Sequence, residues 1–206
     1  MGRRPLDFAN SGDQIRFRSK VRAFQYLPNA ITLARLLSVP ALVWLIAGLN
    51  LAPAFWLFVG AGITDALDGA LARVAHAQSA LGSYLDALAD KVMLVGVYCS
   101  LGFIGLLGEW LVGLVVVRDV FLVCCATGMT LAGHQTQVIP LLISKVNTLF
   151  QILLAAVAIG HHGMGWFSVA LVPPLSVIVA VTTVLSGIAY VIAWWPAAWT
   201  PRGRRD

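Results

Sequence analysis

The sequence predicts an all-α integral membrane bundle of six transmembrane helices, with both termini on the cytoplasmic side. Two observations on composition and one on charge predict it. The 206 residues are 59% hydrophobic and 11% charged, against about 45–50% and about 25% in a soluble domain. Mean hydropathy is +0.85. A span takes about 20 residues, so residues 28–196 hold six spans and little else. Nine of the 14 basic residues lie in the tails: Arg3, Arg4, Arg16, Arg18, Lys20 and Arg22 in segment 1–27, and Arg202, Arg204 and Arg205 in segment 197–206. Cytoplasmic segments carry such an excess, so both tails are assigned to that side. Disorder is excluded, because it needs low hydrophobicity and high charge. Cys99, Cys124 and Cys125 lie in apolar runs without metal-ligand spacing and are expected to be small buried hydrophobes. The basic tails suit anionic headgroups, and no nucleic-acid partner is expected.

Each element follows in order. Residues 13–26 alternate Ile15, Phe17, Val21 and Phe24 with cations. They read either as a short helix on the cytoplasmic membrane surface or as a solvated basic tail. The first apolar run, about 30–49, ends at Gly48-Leu49-Asn50. Pro53 opens the second, 53–72, which turns polar at Thr64-Asp65. The third, 84–107, starts polar and continues apolar, and Gly105 and Gly108 separate it from the fourth, 109–132. A polar stretch from Gly133 to Gln137 precedes the fifth span, 141–160, which His161-His162-Gly163 closes. The sixth, 167–195, is expected to be interrupted near its start by Pro173-Pro174. Trp194, Trp195 and Trp199 finish it as an interfacial aromatic belt. Six spans return the chain to one side. The turns assigned to the far side carry no Lys or Arg, whereas Arg73, Lys91 and Lys145 fall on the near side.

The charged residues inside the membrane region carry the functional signal. Each costs about 2.5–3.5 kcal/mol on insertion scales. Four of the nine acids fall within residues 64–91. Asp65 and Asp68 are i,i+3 at the end of the second span. Asp86 and Asp90 are i,i+4 at the start of the third. Each pair shares a helix face, and antiparallel spans joined by a short loop bring all four to one depth near the cytoplasmic surface. Such a group stays ionised only if cations neutralise it, and Lys91 and Arg73 are too few. An all-oxygen donor set matches a hard divalent cation, Mg²⁺ or Mn²⁺, and two ions bridged by a central carboxylate match the charge better than one. Gly69, Ala70, Ala72 and Gly82 let a phosphate approach the helix backbone, and Arg73 is a bidentate phosphate donor within reach.

The string Asp65-x-x-Asp68-Gly69-x-x-Ala72-Arg73, eight residues, Gly82-x-x-x-Asp86-x-x-x-Asp90 resembles the signature of the CDP-alcohol phosphatidyltransferases at every fixed position. Pro28-Asn29, Thr32 and Arg35 resemble the family's opening segment. The resemblance implies transfer of a phosphatidyl group from CDP-diacylglycerol to an alcohol, with release of CMP. It implies that Asp65, Asp68 and Asp86 hold two metal ions. By the same resemblance, Asp90 would take the proton of the acceptor hydroxyl and is a further candidate metal ligand. The resemblance further implies that Gly69, Arg73 and Ser79 contact the CDP moiety and that Asn29 and Thr32 close over the nucleotide. A homodimer is implied as well, with Gly96, Gly102 and Gly113 permitting close helix contacts.

The acceptor is sought in the second half of the chain. Arg118-Asp119 lies inside the fourth span and Lys145 opens the fifth, either as acceptor-phosphate ligands or, for Arg118, in an internal ion pair with Asp119 or a motif carboxylate. VVVRDVFLV, ISKVNTLFQILL and residues 79–91 resemble the CMP-forming cardiolipin synthases of the mitochondrial and related bacterial type, whose acceptor is phosphatidylglycerol. Phosphatidylglycerophosphate synthases resemble the chain almost as well. They usually carry Arg-Glu for Arg118-Asp119 and a second Lys for Asn147. Glycerol 3-phosphate is nearly dianionic and favours that additional cation, so Asn147 points to the lipid acceptor and would leave room for a diester's second substituent. A cation transporter is the alternative from another class. It leaves the fixed glycines and Arg73 unexplained. The absence of a transit-like extension favours a bacterial cytoplasmic membrane over the mitochondrial inner membrane.

Overall fold

The computed structural model of the protein describes residues 33–75, 80–131 and 142–199, with side chains described outside 65–87, 129–131 and 195–199. Six α-helices and no strand occur among the described residues: α1 Leu33–Ala47, α2 Leu51–Ala75, α3 Ala80–Phe103, α4 Glu109–Leu131, α5 Leu142–Met164 and α6 Val172–Trp199, the last preceded by a 3₁₀ turn, Val169–Leu171. Among the described residues, three segments are long and apolar enough to cross a membrane: Glu109–Gly128, Leu142–Met164 and Val169–Trp194. α2 and α3 have 25 and 24 residues, about 36 Å at 1.5 Å per residue. Their facing ends are polar in sequence, with Asp65, Asp68 and Arg73 toward the end of α2 and Asp86, Asp90 and Lys91 in the first half of α3.

The helix ends are set by local chemistry. After α1, the Asn50 N–H donates to the Leu45 carbonyl and the Leu49 N–H to that of Ile46, both at 2.9 Å. This is a Schellman stop, and it forces Leu49 into the left-handed region at φ 58°. Gly105 makes the same stop after α3, at φ 75°, with Leu106 donating to Leu101 and Gly105 to Gly102. Gly165, at φ 68°, closes α5 through its N–H to the His161 carbonyl. His161 and His162 therefore lie inside α5 rather than beyond it. The expected interruption at Pro173-Pro174 is also corrected, because both prolines sit in the first turn of α6. There a missing N–H has no intrahelical acceptor to lose, and the fixed φ suits the helix.

Packing aligns α1 parallel to α3. Arg35 meets Asp90 at one level, and Val39 and Val43 meet Gly96 further along, where an added Cβ would lie 3.3 and 3.4 Å from their methyls. α2 packs on α5, and α6 on both α5 and α4. The core runs through all six helices, with Leu42, Ile46, Phe58, Val97, Tyr98, Leu111, Leu154 and Val179 buried. Phe55, Trp56, Trp166 and Phe167 form an aromatic cluster at the end where α2 starts and α5 stops, with centroids 5.7–6.3 Å apart. Trp44, Trp56, Trp110 and Trp166 are all exposed, each close to a helix terminus on that side. These tryptophans mark the end of the bundle opposite that at which α6 finishes, where aromatic side chains suit a membrane interface. The cysteines depart from expectation: Cys99 and Cys124 are exposed and Cys125 is half-buried. In a membrane bundle the outer face is as apolar as the core, so an apolar neighbourhood in sequence does not imply burial.

Candidate active site

The end of α2 and the start of α3 carry the acid-rich motif. Asp65, Asp68, Gly69, Ala72 and Arg73 lie on α2, and Gly82, Asp86 and Asp90 on α3. Of their side chains only that of Asp90 is described. Asn29, Thr32 and Ser79 lie outside the described residues. Among the described residues no group of three or more His, Cys, Asp or Glu converges, so the metal-ligand set expected from sequence rests on helix placement and on donor chemistry. All four donors are carboxylates, which fits a hard divalent ion.

Asp90 is tied to α1. Its Oδ1 accepts from Arg35 Nη1 at 2.6 Å, and the Arg35 side chain is 3% exposed against 37% for Asp90. The buried guanidinium thus holds a partly exposed carboxylate. Arg35 was noted in the sequence only as part of a resemblance. Its pairing with Asp90 had one available signal, a lone cation in an apolar run.

A second polar group links four helices. Asp119 on α4 is 1% exposed. Its Oδ1 accepts from Lys91 Nζ on α3 at 2.8 Å and from Arg118 Nη1 at 2.5 Å. Arg118 Nη2 also donates to Ser144 Oγ on α5 at 2.8 Å and to Ser186 Oγ on α6. Lys91 and Arg118 against one carboxylate leave this group with one net positive charge. An apolar groove of about 400 Å³ lies against it, lined by Val39, Leu88, Val92, Val120 and Val123 beside Lys91 and Asp119. Lys145 follows Ser144 and is exposed. The internal pair offered as one reading of Arg118 is present, and Lys91 is its unforeseen third member.

Asn147 does not border an open space. It is fully buried, and its Oδ1 accepts from Thr182 and Thr183 on α6 at 2.8 and 2.9 Å. Gln151, one turn on, is equally buried, and Tyr98 Oη donates to its backbone carbonyl at 3.0 Å. The α5–α6 polar contact is therefore made by Asn147 alone of the two amides, since the Gln151 side chain has no hydrogen-bond partner among the described residues.

A helical membrane domain with paired acidic helix ends and a buried cationic group beside them defines the class. The family model described as CDP-alcohol phosphatidyltransferase matches residues 25–199. The chain belongs to the CDP-alcohol phosphatidyltransferase family. It is 38% identical over 189 residues to a chloroplastic CDP-diacylglycerol–glycerol-3-phosphate 3-phosphatidyltransferase of Oryza sativa, covering 83% of this chain and 57% of that protein. It is 33% identical over 180 residues to the Homo sapiens cardiolipin synthase (CMP-forming), covering 80% and 60%. A probable cardiolipin synthase of Drosophila melanogaster is 32% identical over 184 residues, covering 81% and 56%. The chain thus spans somewhat under two thirds of the length of these relatives.

Proposed function

We propose that the protein is an integral membrane enzyme that transfers a phosphatidyl group from CDP-diacylglycerol to phosphatidylglycerol, giving cardiolipin and CMP. The bundle would have six spans, with both tails on the cytoplasmic side beside the acidic helix ends, and would act as a homodimer. The observation that carries the acceptor reading is the single net positive charge of the Arg118–Asp119–Lys91 group. It is buried beside an apolar groove and suits a phosphodiester of charge about −1 better than a near-dianion.

Asp65, Asp68, Asp86 and Asp90 would hold two divalent ions, Mg²⁺ or Mn²⁺. Bound there, the ions would supply Lewis-acid polarisation of the pyrophosphate and neutralisation of the departing CMP phosphate. The chain's own residues would do the rest. Gly69, Ala72 and Gly82 let the pyrophosphate lie close to the helices, while Arg73 and Ser79 bind the CDP moiety and Asn29 and Thr32 cover it. The acceptor hydroxyl oxygen bonds to the phosphatidyl phosphorus as the anhydride bond to CMP breaks, and the hydroxyl proton passes to Asp90. Arg35 fixes Asp90 for that transfer. Arg118 and Lys145 hold the acceptor phosphate, which places the hydroxyl in line.

A second reading, glycerol 3-phosphate as acceptor, is favoured by Lys145 as an additional cation and by the Oryza sativa relative. Radiolabelled CDP-diacylglycerol given to the purified protein with each acceptor separates them. Cardiolipin from phosphatidylglycerol supports the first reading. Phosphatidylglycerophosphate without cardiolipin replaces it with the second.

A further inference from the structure

We propose that Asp119 is a positioning residue that sets where Arg118 presents its guanidinium to the acceptor, a role that rests on the acceptor reading above. Neighbouring residues of a helix point about 100° apart, so an i,i+1 ion pair is not a geometry the helix favours. Arg118 nevertheless reaches back to Asp119 at 2.5 Å, because that carboxylate is itself held across the helix interface by Lys91 at 2.8 Å. The same oxygen receives both cations, and Ser144 and Ser186 hold the other arm of the guanidinium. With Nη1 and Nη2 both fixed, the plane of the guanidinium is fixed. Nε is buried without a partner among the described residues, whereas Nη1 spends one of its two N–H groups on Asp119, which leaves the other as the donor for a phosphate oxygen. Without the Asp119 charge, Arg118 and Lys91 would repel each other next to an apolar groove, and the guanidinium would lose its aim before the helices lost their fold.

The test is a kinetic and epistatic one on the full-length protein in mixed micelles with CDP-diacylglycerol and phosphatidylglycerol. Asp119→Asn should raise the acceptor KM about ten- to a hundredfold, the range of one charged hydrogen bond, and leave the CDP-diacylglycerol KM within about twofold. Asp119→Glu, which keeps the charge, should recover most of the loss. Combining Asp119→Asn with Arg118→Lys should be no worse than Arg118→Lys alone, since the carboxylate acts through the arginine. A purely structural tie would lower the folded fraction, leave both KM values in place and add to Arg118→Lys, and that result overturns the proposal. If Arg118→Lys raises the acceptor KM while Asp119→Asn does not, the positioning role fails alone. If Arg118→Lys changes neither KM, the acceptor reading fails and takes the positioning role with it. Should Asp119→Asn not fold, Lys91→Met/Asp119→Asn restores the single net charge and is measured in its place.

Discussion

Gly163 sits where the end of α5 crosses the start of α2, and the crossing has no room for a methyl. A Cβ there would lie 2.6 Å from the Leu51 carbonyl carbon, 2.7 Å from Ala52 N and 2.8 Å from the Leu51 oxygen. Carbon contacts settle at about 3.5–4.0 Å, so Gly163→Ala would drive the helices about 1 Å apart. The obstacle is backbone and cannot rotate away, which puts the cost at the upper end of overpacking, about 3 kcal/mol. Parting the helices also loosens the neighbouring contact of Phe55 with Trp166 and Phe167. Alanine's better helix propensity returns about 1 kcal/mol. The net loss is about 2 kcal/mol, or about 4–8 °C in Tm for a chain of this size. Thermal unfolding in detergent, followed by tryptophan fluorescence, reads it directly because Trp56 and Trp166 lie at the crossing. Gly60→Ala is the control: its Cβ meets nothing within 4 Å, so that variant should match or exceed the parent. Asp65 is 14 residues along α2 from Leu51, about 21 Å, so activity below the melting range should persist. A Gly163→Ala protein as stable as the Gly60→Ala control would refute the packing argument.

Leu49→Gly should raise Tm, since a left-handed leucine costs about 1–2 kcal/mol and this side chain is exposed; an unchanged or lower Tm counts against the strain. Asp68→Ala and Asp86→Ala should each lower turnover at least about 100-fold while metal-free thermal stability holds or rises as carboxylate repulsion eases. Near-normal metal-dependent rates in either would dismiss the site. Asp90→Asn should keep CDP-diacylglycerol binding and lose about 10² to 10⁴ in rate, whereas Asp65→Asn should lose nucleotide binding; equal binding losses would make Asp90 chiefly a metal ligand. Lys145→Ala should raise the acceptor KM and spare that for CDP-diacylglycerol, as initial-rate kinetics with each substrate varied would show.

The helices were legible in the sequence because apolar runs and glycine stops are local. Gly105 marks the α3–α4 turn in both sequence and structure. The acid motif was legible for a related reason: a carboxylate in a membrane span is too costly to be incidental. What the sequence left open was which way each side chain faces. In water, periodicity separates a buried from an exposed face. In a lipid-facing bundle both faces are apolar, so the exposed Cys99 and Cys124 read the same as core residues. Long-range polar pairing was hidden as well. Nothing in the spacing of Lys91 and Asp119, 28 residues apart, joins them. Asn147, read as making room for a ligand, spends its carbonyl on two threonines of a helix 35 and 36 residues further on. Proline misled in the opposite direction, because its effect depends on position: disruptive within a helix, it is favourable in the first turn, where Pro173 and Pro174 stand.

The pairing of Arg35 with Asp90 changes the charge balance expected at the acidic helix ends. Four uncompensated carboxylates would need to share whatever cations bind. With Asp90 matched by a buried guanidinium at 2.6 Å, the remaining charge on the motif is that of Asp65, Asp68 and Asp86. On the proposed reading, two divalent ions over-compensate those three carboxylates by one positive charge. A bound CDP pyrophosphate of charge about −2 turns that excess into a deficit of one, which Arg73 makes good, giving the near-neutral total that a partly desolvated site requires. The donor site would then be balanced only with the nucleotide in place, and the acceptor group at Arg118, Asp119 and Lys91 only with a monoanion in place. Each substrate would complete the charge of its own half-site. A lipid phosphodiester meets that condition beside the apolar groove, whereas a dianion exceeds it by one negative charge.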